Sequence, residues 1–238
     1  MASIKTFINT QHLAILGDAF LMTSAAFAGV IGTSSLVIDP TGTLPPDKEW
    51  VAALSSLLSL AVVVVVPIGV WLLHGRRLSI MAVLGGVLGA ASTAVVFFGF
   101  VALSMLLGFA VSPVWDVEYA GPLLMLIVVA TACVAWVIWL VVGAVRDLAN
   151  RRDHPRIDAL RILSTVVLVV YTAGVAMWIA GNPADDSLDA LIFALVAGIA
   201  AALAVAGAEL ATTLSSTAKP APTPSAPIGL DSTTNLTQ

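Results

Sequence analysis

The chain has 238 residues, 59% of them hydrophobic and only 10% charged, with a net charge of −4, whereas soluble domains carry about 25% charged residues. At a mean hydropathy of +1.04 and roughly 20 apolar residues per bilayer crossing, the apolar content suffices for five or six spanning helices and leaves no chain for a folded extramembrane domain. Nucleotide-binding modules, large periplasmic domains and most soluble-enzyme chemistry are thereby excluded.

Residues 1–12 form a short segment in which Ile4, Phe7 and Ile8 recur at helical spacing beside Lys5. An interfacial helix and a frayed terminus both fit that pattern. The first apolar run, Leu13 to Ile38, contains Asp18 and the small-residue sequence Ala26-Phe27-Ala28-Gly29. The latter imitates a leader cleavage site, but Asp18 interrupts the apolar stretch and Lys5 is the only positive charge before it, so retention is predicted. The second run, Val51 to Leu73, holds Pro67. A proline there removes the hydrogen bond to the carbonyl of Val63 and should kink the helix, as a static bend or as a candidate hinge.

The third run, Ile80 to Val111, is longer than a crossing of about 30 Å requires. It is read as one crossing, because a double crossing would place the arginines from Arg146 to Arg161 outside. The fourth run is Gly121 to Val145 and contains Cys133, whose solitude excludes an internal disulfide and a cluster of thiolate ligands. The fifth and sixth are Ile162 to Ala180 and Leu188 to Leu214, the latter with Glu209. Residues 215–238 are rich in Ala, Pro, Ser and Thr and cannot build a core, so a disordered tail is predicted.

Continuous rather than alternating hydrophobicity selects helices over a β-barrel. The predicted fold is therefore an all-α integral membrane protein, a bundle of six transmembrane helices spanning residues 13–214. Lys5, Arg76, Arg77, Arg146, Arg151, Arg152, Arg156, Arg161 and Lys219 fall in the N-terminus, the second and fourth connectors and the tail, whereas the other three connectors carry Lys48 and eight acids. Because Lys and Arg concentrate in cytoplasmic loops, both termini are predicted cytoplasmic. Trp50, Trp115, Tyr119 and Trp178 then form an outer aromatic belt, and Trp71, Trp136 and Trp139 an inner one. Arg over Lys and the Ala/Val/Gly richness suggest a bacterial genome of high GC content and a multi-pass protein of its plasma membrane.

Small residues recur every four positions in runs 1, 3 and 6, including Gly29, Gly32, Gly85, Gly86, Gly89 and Gly198. Such spacing lets helix backbones approach in lipid. Runs 2, 4 and 5 are dominated by Val, Ile and Leu and are expected to face lipid more.

Two carboxylates inside apolar runs, Asp18 and Glu209, are candidate ion or proton ligands. Asp18 lies 21 residues before Asp39 and Glu209 lies 20 after Asp189, so both reach the inner boundary at similar height. If runs 1 and 6 touch, the two could share a proton or bind a cation. The simpler expectation is that each faces water in the headgroup region, since no Lys or Arg is expected inside the membrane as a partner. His12, His74 and His154 fall at or beyond the inner ends, where surface histidines are commoner than haem ligands, so no cofactor and no metal are predicted. Arg146, Arg151, Arg152, Arg156 and Arg161 form a candidate patch for anionic lipid or a partner, besides anchoring topology. Hydrolase, zinc-protease and phosphate-loop signatures are lacking.

Two functions stand against each other. The first is a non-catalytic accessory, scaffold or assembly subunit of a larger membrane complex, supported by the poverty of buried polar groups, short loops and small-residue faces. The second is a small secondary transporter or proton/cation-coupled carrier using Asp18 and Glu209. The bilayer and other membrane subunits are the expected partners, and nucleic acid is not.

Overall fold

A computed structural model describes residues 10–35, 49–115, 155–182 and 186–217, together with eleven positions between 127 and 145, all of them helical. Five helices follow in chain order: α1 (Thr10–Ser35), α2 (Glu49–Leu73), α3 (Ile80–Trp115), α4 (Pro155–Gly181) and α5 (Ser187–Thr217). No strand occurs among the described residues. Each of the five is long and apolar enough to cross a membrane. The fourth apolar run is only partly described, and residues 1–9 and 218–238, with the interfacial-helix and tail expectations, lie outside the described residues.

α5 packs against all four other helices, and α1 against α2, α4 and α5. These two form the centre because their facing residues are small. Ala19, Ala25 and Ala28 of α1 and Ala194, Ala197, Ala201 and Ala208 of α5 are buried, and close backbone approach is the main source of van der Waals attraction between helices in lipid. Where α5 meets α1, a Cβ on Gly198 would lie 2.9 Å from the ring of Phe20, so only glycine fits this crossing.

α3 lies on α5 through a second glycine crossing. A Cβ on Gly85 would meet Ala211 Cβ at 2.6 Å, and one on Gly89 would meet the Leu203 carbonyl carbon at 2.7 Å. Gly86 faces Ala204 at an ordinary 3.5 Å, and Gly29 and Gly32 of α1 face Val167 and Tyr171 of α4 at 3.8 and 3.4 Å. The rest of α3 projects Val95, Phe98, Leu106 and Phe109 outward. Its small-residue face therefore secures one extensive seam with α5 alone, and α3 is peripheral rather than central. α3 is one unbroken helix of 36 residues, which at 1.5 Å each runs about 54 Å. α2 likewise continues through Pro67.

α4 buries a stripe at helical spacing, Ile157, Arg161, Thr165, Leu168, Thr172 and Val175, and turns Leu163, Val166 and Val170 outward. It begins seven residues before the apolar run that announces it, because Arg156, Asp158 and Arg161 occupy its first two turns. α2 and α3 are joined by residues 74–79. Gly75, at φ 71°, supplies the left-handed residue of a Schellman cap, in which Arg76 N–H bonds the Trp71 carbonyl (3.2 Å) and Gly75 N–H that of Leu72 (2.9 Å). Ser79 then caps α3, its Oγ accepting the Ala82 N–H at 3.1 Å.

Candidate functional site

The polar residues gather at one end of the bundle, where α1 and α4 begin, α2 and α5 end, and the 74–79 connector crosses. Asp18 and Glu209 are 4% and 3% exposed, so neither faces water as the sequence suggests. Each carboxylate has its own cations. Arg161 of α4 holds Asp18 as a two-pronged fork, Nε to Oδ1 and Nη2 to Oδ2 at 2.6 Å, the geometry in which guanidinium and carboxylate match best. Its Nη1 reaches Asp158 Oδ1 at 3.3 Å, one turn earlier on α4. His74 Nε2 lies 3.1 Å from Asp18 Oδ2, and its Nδ1 2.9 Å from the Val70 carbonyl.

Both ring nitrogens of His74 thus face acceptors, an arrangement satisfied by the doubly protonated ring. The hydrogen bond to the Asp18 carboxylate accordingly raises the His74 pKa above its usual 6.5, against partial desolvation.

Glu209 has a parallel set of partners. His12 Nδ1 contacts Oε2, and Arg76 Nη2 donates to Oε1 at 3.2 Å. Arg76 also lies over the Trp71 ring, 6.0 Å from its centroid. α1 and α5 do touch, yet the two acids engage separate cations. With Arg161 and Arg76 permanently charged, each carboxylate is compensated inside the bundle.

The sequence places Arg161 with the exposed basic patch and expects no arginine beside the intramembrane acids. The structure corrects both: Arg161 is buried, 6% exposed, and bonded to Asp18. Arg156 is exposed; Arg146, Arg151, Arg152 and His154 lie outside the described residues. One signal would have identified Arg161. It lies 20 residues before Gly181, the same depth that Asp18 and Glu209 have from their own outer connectors. Trp71 is also displaced from its expected role, being buried beneath Arg76 instead of standing in an interfacial belt. Trp50, Trp139 and Trp178 are exposed, and Trp139 meets Phe20 edge-on at 6.2 Å.

Pro67 is buried against the groove between α2, α3 and α5. Among the described residues no group of three or more His, Cys, Asp or Glu converges as a metal-binding set.

The fold and its apolar surface are those of a multi-pass helical membrane protein. No protein-family model, curated protein or solved structure matches the chain.

Proposed function

We propose that this protein is a non-catalytic accessory or scaffold subunit of a larger membrane complex. One observation carries this: each intramembrane acid is neutralised by an arginine from another element, Asp18 by Arg161 of α4 and Glu209 by Arg76 of the 74–79 connector. A transport site needs a carboxylate whose counter-charge can be exchanged for the cargo ion. A carboxylate forked by a buried guanidinium instead joins helices, and here α1, α4, α5 and the connector after α2 meet through Asp18–Arg161, Asp18–His74, Glu209–Arg76 and Glu209–His12. The result is a charge-balanced clasp at one end of a bundle whose described flanks expose large apolar side chains.

Six crossings with both termini on one side fit this reading. α3 runs away from the charged end while α4 starts at it, so the chain between Trp115 and Pro155 has to return. One crossing by the run Gly121 to Val145 accounts for that return. The basic connectors then share the charged end, as expected for the cytoplasmic side of a plasma membrane, with the bacterial origin resting on composition.

Purification of the tagged protein in mild detergent, followed by mass spectrometry of stoichiometric co-eluting chains, tests the proposal. Defined membrane partners are expected; elution as a single species that catalyses flux in liposomes would overturn it. A proton-coupled carrier is the second reading, favoured by His74, a titratable ring bonded to the same Asp18. In that case His74→Gln abolishes proton-linked flux in a folded protein.

A further inference from the structure

A cavity of about 200 Å³ lies between α2, α3 and α5 on the charged half of the bundle. Val64 and Ile68 come from α2, Val83 and Val87 from α3, and Ala204 and Ala208 from α5. The four α2 and α3 side chains are 39–62% exposed, so the cavity opens sideways as a groove. It exists because α2 and α3 each lean on α5 rather than on one another, and because α5 presents only small side chains behind them.

Its dimensions select the occupant. The lining runs from Val63 to Trp71 on α2 and from Ala82 to Ala90 on α3, with Leu78 of the connector at its end, about 12 Å on each helix at 1.5 Å per residue. That is a little under half of a hydrocarbon core of about 30 Å, within the depth of one leaflet. A helix about 10–12 Å across does not enter such a space, and the volume falls below the roughly 300 Å³ at which small-molecule pockets begin. A single hydrocarbon chain fits.

The groove's polar end supplies charge. Trp71, which lines it, donates its indole N–H to the Arg77 carbonyl at 3.3 Å and lies under the Arg76 guanidinium. One side chain that lines the groove therefore holds the Arg77 backbone and the Arg76 guanidinium beside its polar end. Arg77 is exposed and Arg76 is 43% exposed while sharing one donor with Glu209. Guanidinium groups match phosphate oxygens in planar, two-pronged geometry. We propose that this groove binds an anionic phospholipid of the leaflet on the charged side. One acyl chain lies along α2, α3 and α5, and the headgroup phosphate is held by Arg77 with Arg76.

Quenching of Trp71 by brominated lipid tests this in the full-length protein, reconstituted in mixed vesicles of phosphatidylcholine and phosphatidylglycerol. The difference between the native chain and Trp71→Phe isolates the Trp71 signal. Bromine on the phosphatidylglycerol chains is expected to quench Trp71 several-fold more than the same label on phosphatidylcholine at unchanged composition. Arg77→Gln should cut that preference roughly fivefold, from about 1 kcal/mol per basic residue at a membrane surface. Val83→Phe, an exposed groove position that leaves the core untouched, should lower quenching by either label. Equal quenching by both lipids would overturn headgroup recognition. Absence of quenching by either would show the groove covered by a second copy or a partner helix, and unchanged quenching in Val83→Phe would place the lipid elsewhere; both refute the proposal.

Discussion

Asp18→Asn keeps the shape of the side chain and removes its charge, taking from the buried Arg161 the carboxylate that its fork holds, while Asp158 stays at 3.3 Å. Breaking one partner of a buried pair costs about 3–5 kcal/mol. At about 2–4 °C per kcal/mol for a chain of this size, the unfolding midpoint in detergent should fall by roughly 6–20 °C. Glu209→Gln provides the contrast. Its arginine is 43% exposed and can turn to water, so loss of that pair costs at most about 1 kcal/mol and roughly 4 °C. The double variant Asp18→Leu/Arg161→Met removes both buried charges and should melt close to the native protein, since well-packed apolar replacements of buried pairs are often neutral. Thermal melts of the four proteins in one detergent decide the matter. If Asp18→Asn melts no lower than Glu209→Gln, or the double variant falls as far as Asp18→Asn, the buried pair is not what holds α4 to α1.

The His74 ring supplies a pH dependence. Its pKa is raised by Asp18, so its contribution to stability is complete below its ordinary value of 6.5 and is lost as pH rises through the higher folded value. Melting temperature should therefore decline from mildly acidic to mildly alkaline pH, and His74→Gln should flatten that slope. At the α3–α5 crossing, Gly89→Ala should destabilise by about 1–3 kcal/mol through forced separation of the helices. Gly69→Ala and Gly99→Ala, whose Cβ positions meet nothing within 4 Å, should be neutral or gain up to about 1 kcal/mol from helix propensity; melts of the three variants check both. On a Cys133→Ala background, cysteines at Ser79 and Thr217 should react with an impermeant maleimide from the same side of oriented vesicles and one at Glu49 from the other. Labelling of Ser79 and Thr217 from opposite sides would refute the six-crossing topology.

Hydropathy located four of the five described helices to within three residues at nearly every end, because lipid demands uninterrupted apolar length and the sequence supplies it. α3's extension to Trp115 and the early start of α4 at Pro155 are the larger departures. The same criterion concealed the clasp. An apolar run ends by definition at its first arginine, so hydropathy places Arg161 in a loop, although the helix continues through it and its bond to Asp18 accompanies its burial. Asp18 and Glu209 were visible as ionisable groups within apolar segments. Their partners were not, since His12, His74 and Arg76 sit at helix ends and nothing local distinguishes a terminal cation that turns inward from one that faces water. Of the glycines singled out by periodicity, Gly85, Gly89 and Gly198 stand at crossings too tight for a Cβ, whereas Gly29, Gly32 and Gly86 meet their neighbours at ordinary distances, and spacing does not tell how much of a helix such a face covers: α3 has one such seam and exposes the rest.

The connector between α2 and α3 has a wider consequence. Within six residues it contributes His74 to Asp18 and Arg76 to Glu209, with the left-handed Gly75 between them. The two ion clusters, on helices far apart in sequence, are therefore tied together by one turn: displacing it takes His74 from Asp18 and Arg76 from Glu209 at once. Opening at this end of the bundle should be all-or-none. Amide exchange at residues 75–79 should then slow to the rate of the whole charged end rather than that of an ordinary surface loop.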